Sequence, residues 1–282
     1  MGKTVKIYMC CHKEYSYVPP LTVPIQCGSK LYAKINGAMS DVGKNGDISE
    51  KNRWYCELTA HYYAWKNVVA DYYGFCHYRR FFAVSDATAK PYIVCGRLTP
   101  KYTRILYKED DIDKMTKEGY DVIVPRCENM GVTVAEHYSL SSVHLEKDLK
   151  CFIEILLKRA PYLSECANEY LKQNSQYFCN MFIMEKKRYN EYCSILFPVL
   201  EEFDHRGSHA YRTDGYLGEV FTGIYITYLK KNRVKIKETV RLDIGCGFKK
   251  RFLYKIFPPE SRRRFIAKKI VKSLSRIKKQ KG

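Results

Sequence analysis

Apolar positions along the chain fall into two alternating periods. Thr4–Cys10 is a compact apolar run and predicts a first strand, while Tyr55, Leu58, Tyr62, Trp65 and Val69 recur at intervals of three and four and predict an amphipathic helix. Compact runs at Tyr72–Tyr78, Tyr120–Pro125, Phe178–Met184 and Val234–Leu242 predict further strands. Helical spacing returns at Leu149, Phe152, Ile153 and Leu156, stopped near Pro161. It recurs at Tyr189, Cys193, Leu196, Leu200 and Phe203, and again at Leu217, Phe221, Ile224 and Tyr228. From Pro19 to about Asp47 the chain is rich in Pro, Gly, Asn and Asp and is expected to be a loop. Strands separated by helices predict an α/β fold with a mainly parallel central sheet flanked by helices. Ligands of such sheets sit beyond the carboxyl ends of the strands, so the residues that follow each strand carry the most information.

Composition narrows the class. Of the 282 residues 46% are hydrophobic and 14% aromatic, which excludes disorder for most of the chain. The most apolar run, Cys151–Leu157, already contains Glu154, so no membrane-spanning helix is expected. The opening Met1-Gly2-Lys3-Thr4-Val5-Lys6-Ile7 lacks the pattern of a secretory leader, and a cytoplasmic protein is expected. Twelve cysteines include no Cys-x-x-Cys pair, so buried reduced thiols are expected rather than zinc ligands or a disulfide framework.

The net charge of +19 is uneven. Fourteen Lys and Arg against Glu260 give +13 from Lys249 onward, leaving +6 on residues 1–248. The chain therefore divides into a domain at 1–248 and a basic tail at 249–282. After Pro258-Pro259, Ser261 can cap a helix on which Ile266, Ile270, Leu274 and Ile277 form an apolar stripe among cations. Such a helix suits an anionic membrane surface, and residues 260–282 are expected to dock peripherally on the inner face of the cell membrane.

Candidate chemistry gathers at strand ends. His12 and Lys13 follow the first strand, and His77-Tyr78-Arg79-Arg80 closes the Tyr72–Tyr78 strand. Arginine offers paired donors to phosphate oxygens, so this cluster can grip a diphosphate; one arginine held by a carboxylate such as Glu57 is the alternative. Neither a Walker A sequence nor G-x-G-x-x-G is present, which argues against an ATPase or a dinucleotide enzyme. Asp110-Asp111-x-Asp113 is acidic enough for a metal but reads as a helix start. Asp214 is placed to cap a helix that opens after Arg212, and Glu219 lies five residues on, among Leu217, Val220 and Phe221. A carboxylate in partly apolar surroundings can be tuned to act as a general base; a buried pairing of Glu219 with Arg212 is the equal alternative.

Taken together, Asp41–Asn52, Tyr55-Cys56-Glu57-Leu58-Thr59, Trp65-Lys66-Asn67 and Gly74-Phe75-Cys76-His77-Tyr78-Arg79-Arg80-Phe81-Phe82 resemble a known family. It is the bacterial capsular and exopolysaccharide glycosyltransferase family catalogued as domain of unknown function 4422. Asp121–Pro125, Asn180-Met181-Phe182 and Arg212–Glu219 extend the resemblance over roughly residues 4–240. The segment Asp41–Ser49 departs from the family's Gly-Asp-Asn-Ile-Ser pattern, and Val220 stands where the family often carries Arg.

The resemblance implies a GT-A-like fold and transfer of a hexose, galactofuranose in related members, from a nucleotide-sugar that is expected to be UDP-linked. The acceptor would be a growing capsular polysaccharide, an exopolysaccharide or a lipid-linked glycan. His12, Lys13, His77, Arg79 and Arg80 are then expected at the donor diphosphate. Glu219 or Asp214 would be the catalytic base, with Asn180, Asp41, Asp47 and Arg212 on sugar or acceptor. Because cations end the strand where metal-dependent relatives of the fold carry acids, metal-independent transfer with inversion is expected, without a cofactor; Mn²⁺ or Mg²⁺ dependence is the disfavoured alternative. The competing class is a non-catalytic basic module that binds RNA or anionic glycan through its 25 tyrosines. Several of those tyrosines lie on helix core stripes, so no nucleic-acid partner is expected.

Overall fold

The computed structural model describes residues 3–245 apart from 85, 141–143 and 209, together with Phe252, Ile256, Ser261, Ile266, Ala267 and Ile270. The expected tail helix and the domain boundary at 248 therefore fall outside the described residues but for those isolated positions.

The first half of the chain contributes β1 (Val5–Cys11), β2 (Thr22–Gln26), β3 (Met39–Ser40), α1 (Asn52–Tyr55), α2 (Leu58–Asn67), β4 (Tyr72–His77), β5 (Arg80–Ala83), β6 (Tyr92–Val94), α3 (Pro100–Thr103), α4 (Glu109–Lys117) and β7 (Val122–Pro125). The second half adds β8 (Glu128–Asn129), α5 (Val134–Leu140), α6 (Glu146–Arg159), α7 (Ser164–Lys172), β9 (Ser175–Gln176), β10 (Phe182–Glu185), α8 (Lys186–Asp204), α9 (Thr213–Lys231) and β11 (Ile236–Asp243).

The sheet is mixed, which corrects the expectation of a mainly parallel one. β3, β2, β1 and β4 run parallel in that order, but β10 is antiparallel to both β4 and β7, and β11 is antiparallel to β5 while parallel to β6 and β7. Apolar runs reveal strands but carry no information on strand direction, which long-range pairing decides. The expected loop at Pro19–Asp47 also contains β2 and β3; Pro24 breaks the sequence signal there, yet it pairs in register with Met9.

Both faces of the sheet are covered. Tyr8 and Cys10 of β1 and Tyr73 and Phe75 of β4 point to a core shared with α2, α6, α8 and α9, where Phe152, Tyr189, Tyr192, Phe221 and Tyr225 are buried. Ile7, Met9 and Cys76 point the other way, against Phe81, Ile112, Met115 and Ile183. Alternation with period two sorts these side chains, and each buried large side chain contributes roughly 1.5–3 kcal/mol. Gly74 of β4 leaves room for its neighbours, since a Cβ there would stand 2.9 Å from Ile7 and 3.0 Å from Ile183. The Asp110–Asp113 cluster opens α4, and the Lys108 N–H donates to Asp111 at 2.9 Å, as a helix start requires. Among the described residues no helix is long and apolar enough to cross a membrane.

Candidate active site

A cleft opens where β1, β4 and β11 end and β5 begins. It has two lobes that share Glu57, His77 and Arg212. The first, about 240 Å³, lies between the end of β1 and the segments around Cys27, Tyr32 and Asn52. The second, about 300 Å³, is bounded by Arg80, Arg241 and Asp243 of the sheet, Glu219 and Tyr216 of α9, and α5.

Close packing brings α9 to this position. A Cβ on Gly215 would lie 3.0 Å from the Cys56 side chain, and one on Gly218 would lie 2.8 Å from Leu58. Glycine at both places lets α9 approach α1 and α2 until Glu219 reaches the cleft. The backbone around the cleft is strained. Cys56, Cys179, Asn180 and Arg212 all have positive φ, four of the six such non-glycine residues described. Conformations of this kind cost of order 1 kcal/mol each and concentrate at functional sites. The Cys179–Asn180 turn replaces the first residues of the strand expected from Phe178. It aims the Cys179 N–H at Glu219 Oε1, 2.8 Å away, and Asn180 Nδ2 at Glu57 Oε1 and the Gly215 carbonyl, at 3.0 and 2.9 Å. One turn thus fixes two carboxylates and the start of α9.

Electrostatics separates the roles. Burial, reinforced by the Glu57 charge, raises the Glu219 pKa to about 7, against the opposing pull of the Cys179 N–H, Arg80 and Arg212. A carboxylate so tuned can accept a proton near neutral pH. The histidines shift the other way. Burial, followed by the nearby cations Arg212, Lys13, Arg79 and Arg80, lowers His12 to about 4. Burial, Arg80, His12, Arg79 and Arg212 hold His77 well below its ordinary value. Both are therefore neutral hydrogen-bonding groups here, so of the strand-end group His77, Arg79 and Arg80 only the arginines are cationic. Positive charge in the cleft comes from Arg53 in the first lobe, Arg80 and Arg241 in the second, and Arg212 in both. Arg241 is already held between Glu128 and Asp243, with its Nε 2.6 Å from Asp243 Oδ1. Arg80 stands opposite Asp243 in the β5–β11 register, and Glu57, which the sequence offered as a partner for one of the arginines, accepts from Asn180 Nδ2.

The structure brings together His12, His77, Arg80, Arg212 and Glu219, and leaves other expected site residues outside the cleft lining. Arg79 and Lys13 flank the Tyr78 ring, at 4.9 and 5.9 Å from its centroid. Asn180 is buried with its amide nitrogen committed to Glu57 and Gly215. Asp41 is fully buried, its carboxylate accepting from the Gly28 and Ser29 N–H groups and the Ser49 hydroxyl; it shapes the loop behind the first lobe. Asp47 pairs with Lys30 at 2.9 Å and accepts from the Ser49 N–H. Asp214 is buried within the first turn of α9, whose N-cap is Arg212 and not Asp214 as expected, and burial and the charge of Asp204 raise its pKa to about 8. It does not reach either lobe.

Several further lining residues escaped the sequence reading as ligands, Glu57, Arg241 and Asp243 among them. Glu57 was visible only as a partner for arginine. Arg241 and Asp243 close β11, and the same strand-end rule that singled out His77 points to them. Among the described residues no cluster of three or more His, Cys, Asp or Glu has the arrangement of a metal site.

Residues 6–232 match the family described as a domain of unknown function, DUF4422. The chain belongs to that family. No curated protein matches the chain. Among solved structures it is similar to the WbbM bifunctional glycosyltransferase in its apo form, with a TM-score of 0.78 and 28% identity over 86% of this chain. The matched region is 46% of the WbbM chain, so this protein spans about half the length of that bifunctional relative.

Proposed function

We propose that the protein is a glycosyltransferase that moves a hexose from a UDP-linked donor to a growing capsular polysaccharide, an exopolysaccharide or a lipid-linked glycan. Galactofuranose, implied by the family resemblance, is the first sugar to test. The observation that carries this reading is Glu219, with its pKa near 7, set in one cleft with Arg80 and Arg212. The similarity to WbbM supports the same class.

In this reading the diphosphate lies at the junction of the lobes. Arg212 and Arg80 offset its charge, and neutral His77 and His12 donate hydrogen bonds. Glu219 takes the proton of the acceptor hydroxyl as its oxygen attacks the anomeric carbon. The bond from that carbon to the diphosphate breaks, the electron pair leaves with UDP, and the configuration inverts. Fixed guanidiniums can stabilise the developing charge without reorganisation, which supports metal-independent transfer. The basic segment 260–282 would hold the enzyme at the cytoplasmic face of the membrane, where a lipid-linked acceptor resides.

Calorimetric titration with UDP in EDTA tests the donor site. Binding is expected, weakened about 10- to 100-fold by Arg212→Ala, the loss of a charge-assisted hydrogen bond of roughly 1.5–3 kcal/mol. UDP binding only after Mn²⁺ is added would overturn metal independence, and binding indifferent to Arg212 would move the diphosphate elsewhere.

A further inference from the structure

We propose that the second lobe is the acceptor subsite and that it is built for a neutral sugar; the inference rests on the glycosyltransferase reading. Glu219 lines this lobe and not the first. A general base has to come within hydrogen-bond reach of the hydroxyl it deprotonates, so the acceptor hydroxyl belongs in the lobe that Glu219 faces.

The lobe's other walls match the two kinds of surface on a sugar. Phe178 and His137 meet edge to face with centroids 5.7 Å apart, and His144 lies 4.1 Å from Tyr216 and 4.4 Å from Tyr138. These rings lie along the side of the cleft formed by α5, the turn before β10 and the start of α9. Aromatic faces cover the C–H surface of a pyranose or furanose ring, while a few fixed polar groups orient its hydroxyls. Gln176, which is 2.9 Å from His137 Nδ1, supplies one such group at the lobe's wall.

Charge decides between a neutral and an acidic sugar. Four carboxylates line the lobe (Glu57, Glu128, Glu219 and Asp243) against three guanidiniums (Arg80, Arg212 and Arg241). Arg241 is enclosed by Glu128 and Asp243, Arg80 stands across from Asp243, and Arg212 sits at the junction with the first lobe. Arg212 lies over the Tyr216 ring of this wall, 5.2 Å from its centroid, but it and Arg80 are assigned to the donor diphosphate and Arg241 to its two carboxylates, so among the described residues lining the lobe a uronic acid placed against Phe178 and His137 finds no uncommitted guanidinium. The lobe therefore selects against an anionic acceptor as well as for an apolar ring face.

The test is saturation-transfer NMR on the full chain loaded with UDP. The probes are the octyl glycosides of galactose, glucose, mannose, N-acetylglucosamine and glucuronic acid. At least one neutral glycoside is expected to bind, with the glucuronide at least about tenfold weaker than the best of them. Phe178→Ala and His137→Ala are expected to weaken that glycoside by about tenfold each while UDP affinity stays within about twofold. Phe178→Leu keeps the apolar bulk without the ring face and serves as the second variant where alanine impairs folding. Binding of UDP with no neutral glycoside bound, tighter binding of the glucuronide, or indifference to the ring substitutions overturns the acceptor assignment alone. Failure of the unaltered protein to bind UDP overturns the donor reading, and the acceptor assignment falls with it.

Discussion

Replacing Glu219 by Gln should raise stability and remove activity at once. The carboxylate is held at a pKa of about 7 against an ordinary 4.5, chiefly by burial and next by the Glu57 charge. Keeping it ionised at pH 8 therefore costs the fold about 2–3 kcal/mol, with some allowance for contact with water in the cleft. The sign follows from the folded pKa lying above the unfolded one. The stability contribution of the protonated group is complete below about pH 4.5 and is lost as pH rises through about 7. Glutamine keeps the oxygen that accepts the Cys179 N–H and carries no charge. The variant should melt about 5 °C above the unaltered protein at pH 8, and the two should converge near pH 4.5. Transfer should fall by about 10²- to 10⁴-fold, the range for loss of a general base, while UDP binds at least as tightly. In the unaltered enzyme the rate should rise with pH through about 7 and then level. Differential scanning fluorimetry across pH, run beside a UDP-release assay, reads both effects. A variant no more stable than its parent at pH 8 would refute the electrostatic argument, and one that retains its rate would refute the role of base.

Two further substitutions probe the scaffold. Arg241→Met strands the buried carboxylates of Glu128 and Asp243 and should cost about 3–5 kcal/mol in urea unfolding. Adding Glu128→Gln and Asp243→Asn should recover much of that loss, and a silent single substitution would mean that the network is hydrated. Gly223→Ala places a Cβ 1.8 Å from the Tyr170 ring, where α9 crosses α7. Helix displacement should cost about 1–3 kcal/mol, and an unchanged urea midpoint would show that this contact yields freely.

Much of the fold was legible because its longest elements have clean periodicity. The stripes Tyr189–Phe203 and Leu217–Tyr228 became α8 and α9, and the first strand became β1 within a residue. Strand direction was not legible, because β10 owes its antiparallel place to pairing with β4 and β7 and not to its own composition. The Cys179–Asn180 turn was hidden inside an apolar run that read as strand, since only the three-dimensional site requires the positive φ there.

In the candidate cleft, the strand-end rule points to His12, His77 and Arg80, and the partly apolar start of a helix points to Glu219 with Arg212 beside it; all five line the cleft. The aspartates were the weak point. An aspartate near glycines suits a sugar contact and a loop scaffold equally, and Asp41 and Asp47 are both engaged within their own loop. The aromatic wall of the second lobe left no sequence signal, because Phe178, His137, His144 and Tyr216 come from separate elements.

Discharge of a nucleotide-sugar onto an acceptor in this cleft, with Glu219 as the base and no metal required, is what we propose. The most direct measurement is release of UDP from UDP-hexoses, UDP-galactofuranose included, by EDTA-treated protein supplied with the neutral octyl glycosides. Acceptor-dependent release is expected to persist in EDTA and to drop at least about a hundredfold in Glu219→Gln. UDP release that requires added Mn²⁺, or that proceeds undiminished without the Glu219 carboxylate, would contradict it.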